Sequence, residues 1–267
     1  MMLAQAISGE AYRALRNPRA LFWAYALVPL FILIFGLGIE LAVRIDSKMV
    51  PPTIEPFRLA IRSLGAGGNP IAQLFYAIGA AALVANEYRW ESWRLIGPRN
   101  RRLNLILAKF MVYLACAALS LAAIVAVEFF SAFVAGLAKG TPVAWNVDGG
   151  PGWAALAVAW AASLAELAAL GALAMAGAVA TRSLLGGAMP AFLFALGQSL
   201  LLAFAQPPAG INRAILLPVH AGDMARGWAQ GGSGGDALAG AAMLLCWAFV
   251  LIATAIILFS RQDLSRE

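Results

Sequence analysis

Six apolar runs, at 20–39, 71–86, 105–137, 154–181, 184–205 and 237–260, are interrupted by charge only at Lys109, Glu128 and Glu166. A helix needs about 20 such residues to cross the hydrocarbon of a bilayer. In lipid every backbone N–H and C=O must be satisfied inside the protein, and helices do this within one segment. These runs therefore predict an all-α polytopic membrane protein with six transmembrane helices. Composition agrees: 62% of residues are hydrophobic and 12% charged, against roughly a quarter charged in soluble domains. The first run is too long for the core of a signal peptide and lacks a small-residue cleavage site, so it is expected to stay as an anchor.

Ahead of the first run, residues 1–19 read as an interfacial amphipathic helix. At 100° per residue Leu3, Ala4, Ile7, Ala11, Ala14 and Leu15 share one face, and Gln5, Ser8, Gly9, Tyr12, Arg13 and Arg16 the other. Its arginines are expected to point at lipid headgroups, and Asn17-Pro18 should end it. Trp23 and Tyr25 fall where an aromatic belt would sit. Pro51, Pro52 and Pro56 mark an external loop, in which Phe57, Ile61 and Leu64 predict a short helix tucked against the membrane surface. The third run would be about 50 Å long as a helix, so it must tilt or project into water. In the fourth, Ala168, Ala172, Ala176 and Ala180 recur every four residues and offer a flat ridge for close packing.

Six crossings put both termini on one side. Twelve of the nineteen basic residues lie in the N-terminal segment, the stretch from Arg89 to Lys109, the turn at Arg182 and the C-terminal tail. The other seven lie in the intervening loops. By the positive-inside rule both ends are cytosolic. The same distribution explains the net charge of +6 without nucleic acid, because no basic stripe follows a phosphate backbone.

Little in the chain points to catalysis. His220 is the single histidine, too few for a histidine-based metal or haem site. The glycines at 231–235 lack the lysine and strand–helix context of a phosphate-binding loop. Cys116 and Cys246 lie inside apolar runs and read as small hydrophobes. Of the acids in or beside the runs, Glu40 and Glu128 sit near outer ends where water is in reach. Glu166 is about 20 Å into its run by helical rise and lies nearly opposite the alanine ridge. A carboxylate at that depth is either bonded to a neighbouring helix or lines a path, and the sequence leaves both open.

The one dense patch of charge and aromatics is 87–104, from Glu87-Tyr-Arg-Trp-Glu-Ser-Trp-Arg94 through Pro98 and Arg101. Trp90 and Trp93 are spaced to share one face of a short helix, with Glu87, Glu91 and Arg94 on another. Periodicity alone allows a simple headgroup anchor. The residue order Glu87…Arg94-Leu-Ile-Gly-Pro98-Arg-Asn-Arg101…Lys109 resembles a segment of type-2 permeases of ATP-binding-cassette (ABC) transporters. In layout the resemblance spans the chain, including Glu10 and Arg13 near the start and Phe259-Ser-Arg261-Gln-Asp263 near the end. Its specific motif is confined to 87–109, and Glu91-Ser92 stand where the family often has a glycine–threonine pair.

The resemblance implies a non-catalytic permease of the cell (inner) membrane, working as a dimer on a cytosolic ATPase subunit. ATP and Mg would bind that partner, and no cofactor or metal this chain. Glu87, Arg89, Trp90, Glu91, Trp93, Arg94, Pro98, Arg101 and Lys109 would couple the ATPase to the spans. Residues 206–236 resemble the family's outer gate between the last two spans, and Glu166, Gln198 and Pro218 would line a substrate path. The direction implied is export. Two rivals remain: a membrane-embedded enzyme acting on a lipid-linked substrate, and a non-catalytic assembly subunit.

Overall fold

A computed structural model describes residues 3–43, 53–65, 68–90, 93, 101–145, 151–205 and 211–262, with 39–43 and 139 described in backbone only. Among them the chain is helical, apart from loops and one isolated parallel bridge between Ile54 and Val143. Helix α1 covers Leu3–Leu15. The Asn17 side chain accepts from the Ala20 N–H and starts α2 (Pro18–Leu21), where the missing proline N–H costs nothing. One π-helical turn, Phe22–Ala26, leads into α3 (Leu27–Val43). The Tyr25 carbonyl within this turn is taken by the Ser120 hydroxyl at 2.5 Å.

Helix α4 (Pro56–Gly65) precedes α5 (Pro70–Arg89), whose first turn is capped by Asn69. Helix α6 (Arg102–Lys139) runs unbroken for 38 residues and ends at Gly140, which adopts the left-handed φ of 64°. Helices α7 (Trp153–Thr181) and α8 (Leu184–Ala205) are joined by a tight turn in which Arg182 is left-handed. A 3-10 turn at Arg213–Leu216, α9 (Pro218–Gly227) and a second 3-10 turn at Trp228–Gln230 lead to α10 (Gly234–Arg261).

Five segments are long and apolar enough to cross a membrane: Pro18–Gly38, Arg102–Ala138, Trp153–Thr181, Leu184–Ala205 and Gly234–Arg261. Helices α4 and α5, inclined by 66°, qualify only as a bent pair and would be a sixth. The protein is thus an all-α, multi-pass membrane protein. The short predicted run at 71–86 is carried by α5, whose Gln73 and Glu87 dilute its hydropathy.

Helix α7 is the hub, packed against α4, α5, α6, α8, α9 and α10. Of its alanine ridge Ala168, Ala172 and Ala176 are buried, while Ala180 is exposed. Its small residues admit close neighbours. A Cβ on Gly171 would fall about 2.1 Å from the Tyr113 ring of α6, so only glycine lets that ring lie flat on α7. The Tyr113 hydroxyl then donates to the Leu167 carbonyl at 2.7 Å. Outward, Phe31, Ile34 and Phe35 on α3 and Leu245 and Phe249 on α10 are exposed, as expected of surfaces solvated by acyl chains.

Several expectations change. Tyr25 is not a belt residue: it is buried between Tyr76 and Tyr113, with ring centroids 6.2 Å from each, while Trp23 is exposed. Helix α4 forms as expected, with its apolar face turned to protein. Phe57, Ile61 and Leu64 are buried in protein, with Phe57 edge-on to Phe129 and Trp153. The last helix begins inside the glycine tract, at Gly234 rather than residue 237. Pro51, Pro52, residues 206–210 and Asp263 lie outside the described residues.

Candidate functional site

Two buried polar clusters hold the bundle together, one near the start of α6 and the other midway along α7. The first is built on Lys109, two turns into α6 and 1% exposed. Its ammonium donates to Glu10 Oε2 and to Glu87 Oε1, each at 2.8 Å. Arg13 closes the ring, meeting Glu10 Oε1 at 3.1 Å and Glu87 Oε1 at 3.0 Å. Three segments distant in sequence are fastened at one point: α1, the end of α5 and the start of α6. Among the described residues two cations face two carboxylates, so their charges balance. Four charge-assisted bonds offset part of the large desolvation cost of such groups.

This alters the reading of α1. Its inward face is Ala6 and Glu10, not the apolar arc alone. Arg13 turns to two protein carboxylates, not only to headgroups, because their charge is nearer and less screened.

The link from α5 to α6, which we term the elbow, is described at Trp90, Trp93 and Arg101. Trp90 is 72% exposed and Trp93 is 3% exposed, so the two tryptophans do not present a shared aromatic face. Trp93 packs on Phe259 of α10 with centroids 4.4 Å apart, and the Lys109 ammonium lies 5.3 Å from its ring. Arg89 is exposed and covers Trp90 at 5.4 Å. Arg101 occupies the N-cap of α6. Glu91, Arg94 and Pro98 lie outside the described residues.

The end of α10 is drawn into the same elbow by residues that sequence reasoning passed over. Arg102 donates to the carbonyls of Phe259, Ser260 and Gln262 at 3.1, 2.8 and 2.7 Å. A guanidinium there satisfies the unpaired carbonyls that end a helix and complements its dipole. Gln262 accepts from the Tyr88 hydroxyl at 2.5 Å and donates to the Val179 carbonyl at 2.6 Å. Trp93 of the elbow therefore meets the last helix, while α5 and α6 on either side of it hold the N-terminal helix.

The second cluster is centred on Glu166, 3% exposed. Arg226 of α9 donates to its Oε2 at 2.5 Å, and Gln73 of α5 to its Oε1 at 2.8 Å. The second Arg226 nitrogen meets Asp223 at 2.8 Å. Of the two roles open for Glu166, the structure supplies the bonded partner. Burial alone would make the Arg226 guanidinium easier to deprotonate. The carboxylates of Glu166 and Asp223 outweigh that and raise its pKa above the usual arginine value, so it stays charged. Close approach depends on glycine: a Cβ on Gly222 would lie 2.6 Å from Glu166 Oε2, and one on Gly68 would lie 3.2 Å from Oε1.

Gln198 and Pro218 belong to the same region. The Gln198 side-chain oxygen accepts from the Val219 N–H at 3.1 Å, while its amide donates to Phe194 O. A side chain of α8 thus serves one of the orphan donors at the start of α9, where Pro218 supplies the first helical residue. Within 206–236, α9 is consequently fixed at both ends: by Gln198 at its start and by the Glu166 pair near its finish. His220 lies half-buried on this helix.

Comparisons with protein-family models, with curated proteins and with solved structures find no match.

Proposed function

We propose that this chain is the permease subunit of an ATP-driven ABC exporter of the cell membrane. On this reading it crosses six times, counting α4–α5 as one broken span, with both ends cytosolic. Two copies form the pathway, and each is seated through residues 87–95 on a separate ATPase that carries ATP and Mg. The single observation that carries the reading is the junction at Lys109. A push on the elbow is transmitted to α1 through Glu10, to α6 through Lys109 itself and to α10 through Trp93 and Arg102. In this arrangement Glu87 and Lys109 act as internal struts. Exposed Arg89 and Trp90, with Glu91 and Arg94, are the side chains offered to the ATPase.

The test is co-purification with a P-loop ATPase sought in the adjacent reading frame, followed by ATPase assay of the complex in lipid. Arg94→Ala and Trp90→Ala are expected to leave the permease folded while abolishing its effect on ATP turnover. Undiminished coupling in both variants would remove the elbow from this role. Activity of the purified chain alone, without ATP or partner, would instead favour the membrane-enzyme reading.

A further inference from the structure

A groove of about 680 Å³ runs between α1, the start of the first span and α5. Its walls are apolar: Leu21, Ala24, Ile78, Ala82 and Leu83 line its length. Trp23 and Trp90, both largely exposed, stand along it. Tyr25 also lines it, and its buried hydroxyl has no hydrogen-bond partner among the described residues, a costly state for a polar atom. Its polar end holds the Glu10–Arg13–Glu87–Lys109 ring, in which acids and bases balance. The surplus charge lies just outside: Arg16 and Arg19 flank the lining residue Asn17, and Arg89 precedes Trp90. All three arginines are exposed, and none forms an ion pair among the described residues.

An apolar trough flanked by tryptophans, with exposed cations next in the chain to its lining residues Asn17 and Trp90, has the charge and polarity of one kind of ligand. We propose that this groove is a binding site for one anionic phospholipid, with an acyl chain along Leu21, Ile78 and Leu83 and the phosphate near Arg16, Arg19 and Arg89. The cations would supply selectivity for headgroup charge, since a phosphate accepts from several guanidiniums at once. The trough would supply affinity through burial of acyl-chain methylenes. A lipid seated there would brace α1 against α5 along the seam that the ion ring closes at one end. The proposal needs only a membrane protein and stands apart from the exporter reading.

Native mass spectrometry of the full chain, released from nanodiscs of mixed phosphatidylglycerol and phosphatidylcholine, tests it. Wild type is expected to retain one phosphatidylglycerol per chain, about tenfold in preference to phosphatidylcholine. Ala82→Phe, which fills the trough, should reduce lipid retention at least fivefold. Because that variant alters packing, a triple Arg16→Gln, Arg19→Gln, Arg89→Gln variant provides the second arm on exposed positions. It should keep a lipid but lose the preference for the anionic one. Equal retention of both lipids by wild type, or an unchanged preference in the triple variant, would overturn the proposal. So would crosslinking between two copies of an Ala82→Cys variant in a Cys116→Ser, Cys246→Ser background, since the trough would then hold protein.

Discussion

The Glu166 carboxylate on α7 and the Arg226 guanidinium on α9 form a buried ion pair between residues sixty positions apart in sequence. Each is 3% exposed, so neither has water to fall back on if the other is removed. Breaking one side of such a pair usually costs about 3–5 kcal/mol, because the surviving charge is left buried and unmatched. Glu166→Gln should therefore lower the melting temperature in detergent markedly. Adding Arg226→Met should recover part of the loss, a non-additivity that identifies the pair as the source. Additive losses in the double variant would show that the two side chains stabilise the protein separately.

Gly222→Ala tests the same contact from the backbone side. The new methyl would meet Glu166 Oε2 at about 2.6 Å, and overpacking of this kind costs about 1–3 kcal/mol. Gly227→Ala, where a Cβ meets nothing within 4 Å, is the matched control and should be nearly neutral. Thermal unfolding of the two variants side by side gives the comparison.

Lys109→Met should be more damaging than its isosteric shape suggests. It removes from Glu10 and Glu87 the ammonium that both share, leaving buried carboxylate charge less well matched, at a cost of about 3–5 kcal/mol. The readout specific to this role is limited proteolysis: α1 should become cleavable while the long helices stay resistant. Uniform sensitivity along the chain would point to general unfolding instead.

Arg102→Gln removes the donor shared by three carbonyls at the end of α10. The loss should be about 1 kcal/mol, the scale of a charge at a helix terminus. Hydrogen exchange should rise at residues 259–262 and leave the middle of α10 unchanged.

The membrane class and most helices were legible from hydropathy, because uncharged runs of this length have few other uses. Leu184–Ala205 matches the predicted run in full, and Asn17-Pro18 marks a real break. Tyr25 was misplaced because a tyrosine near a span end suits a belt or a core equally, and periodicity does not tell which neighbour it meets. The depth of Glu166 was legible, but its partner was not. Arg226 sits in a loop-like stretch rich in glycine, and no local signal says that such a stretch folds back onto α7. Likewise Arg102 read as one of several cytosolic cations. Its bonds to 259–262 depend on a tertiary contact across more than 150 residues.

The Lys109 junction has a further consequence for how the chain is made. Glu10 leaves the ribosome ninety-nine residues ahead of its lysine. Until then the first helix has only Arg13, three residues away, as a counter-ion, and it can rest loosely at the bilayer surface. Arrival of the third long helix recruits it into the body. Docking of the N-terminus thus waits for residue 109, and a chain truncated before it would never complete the ring.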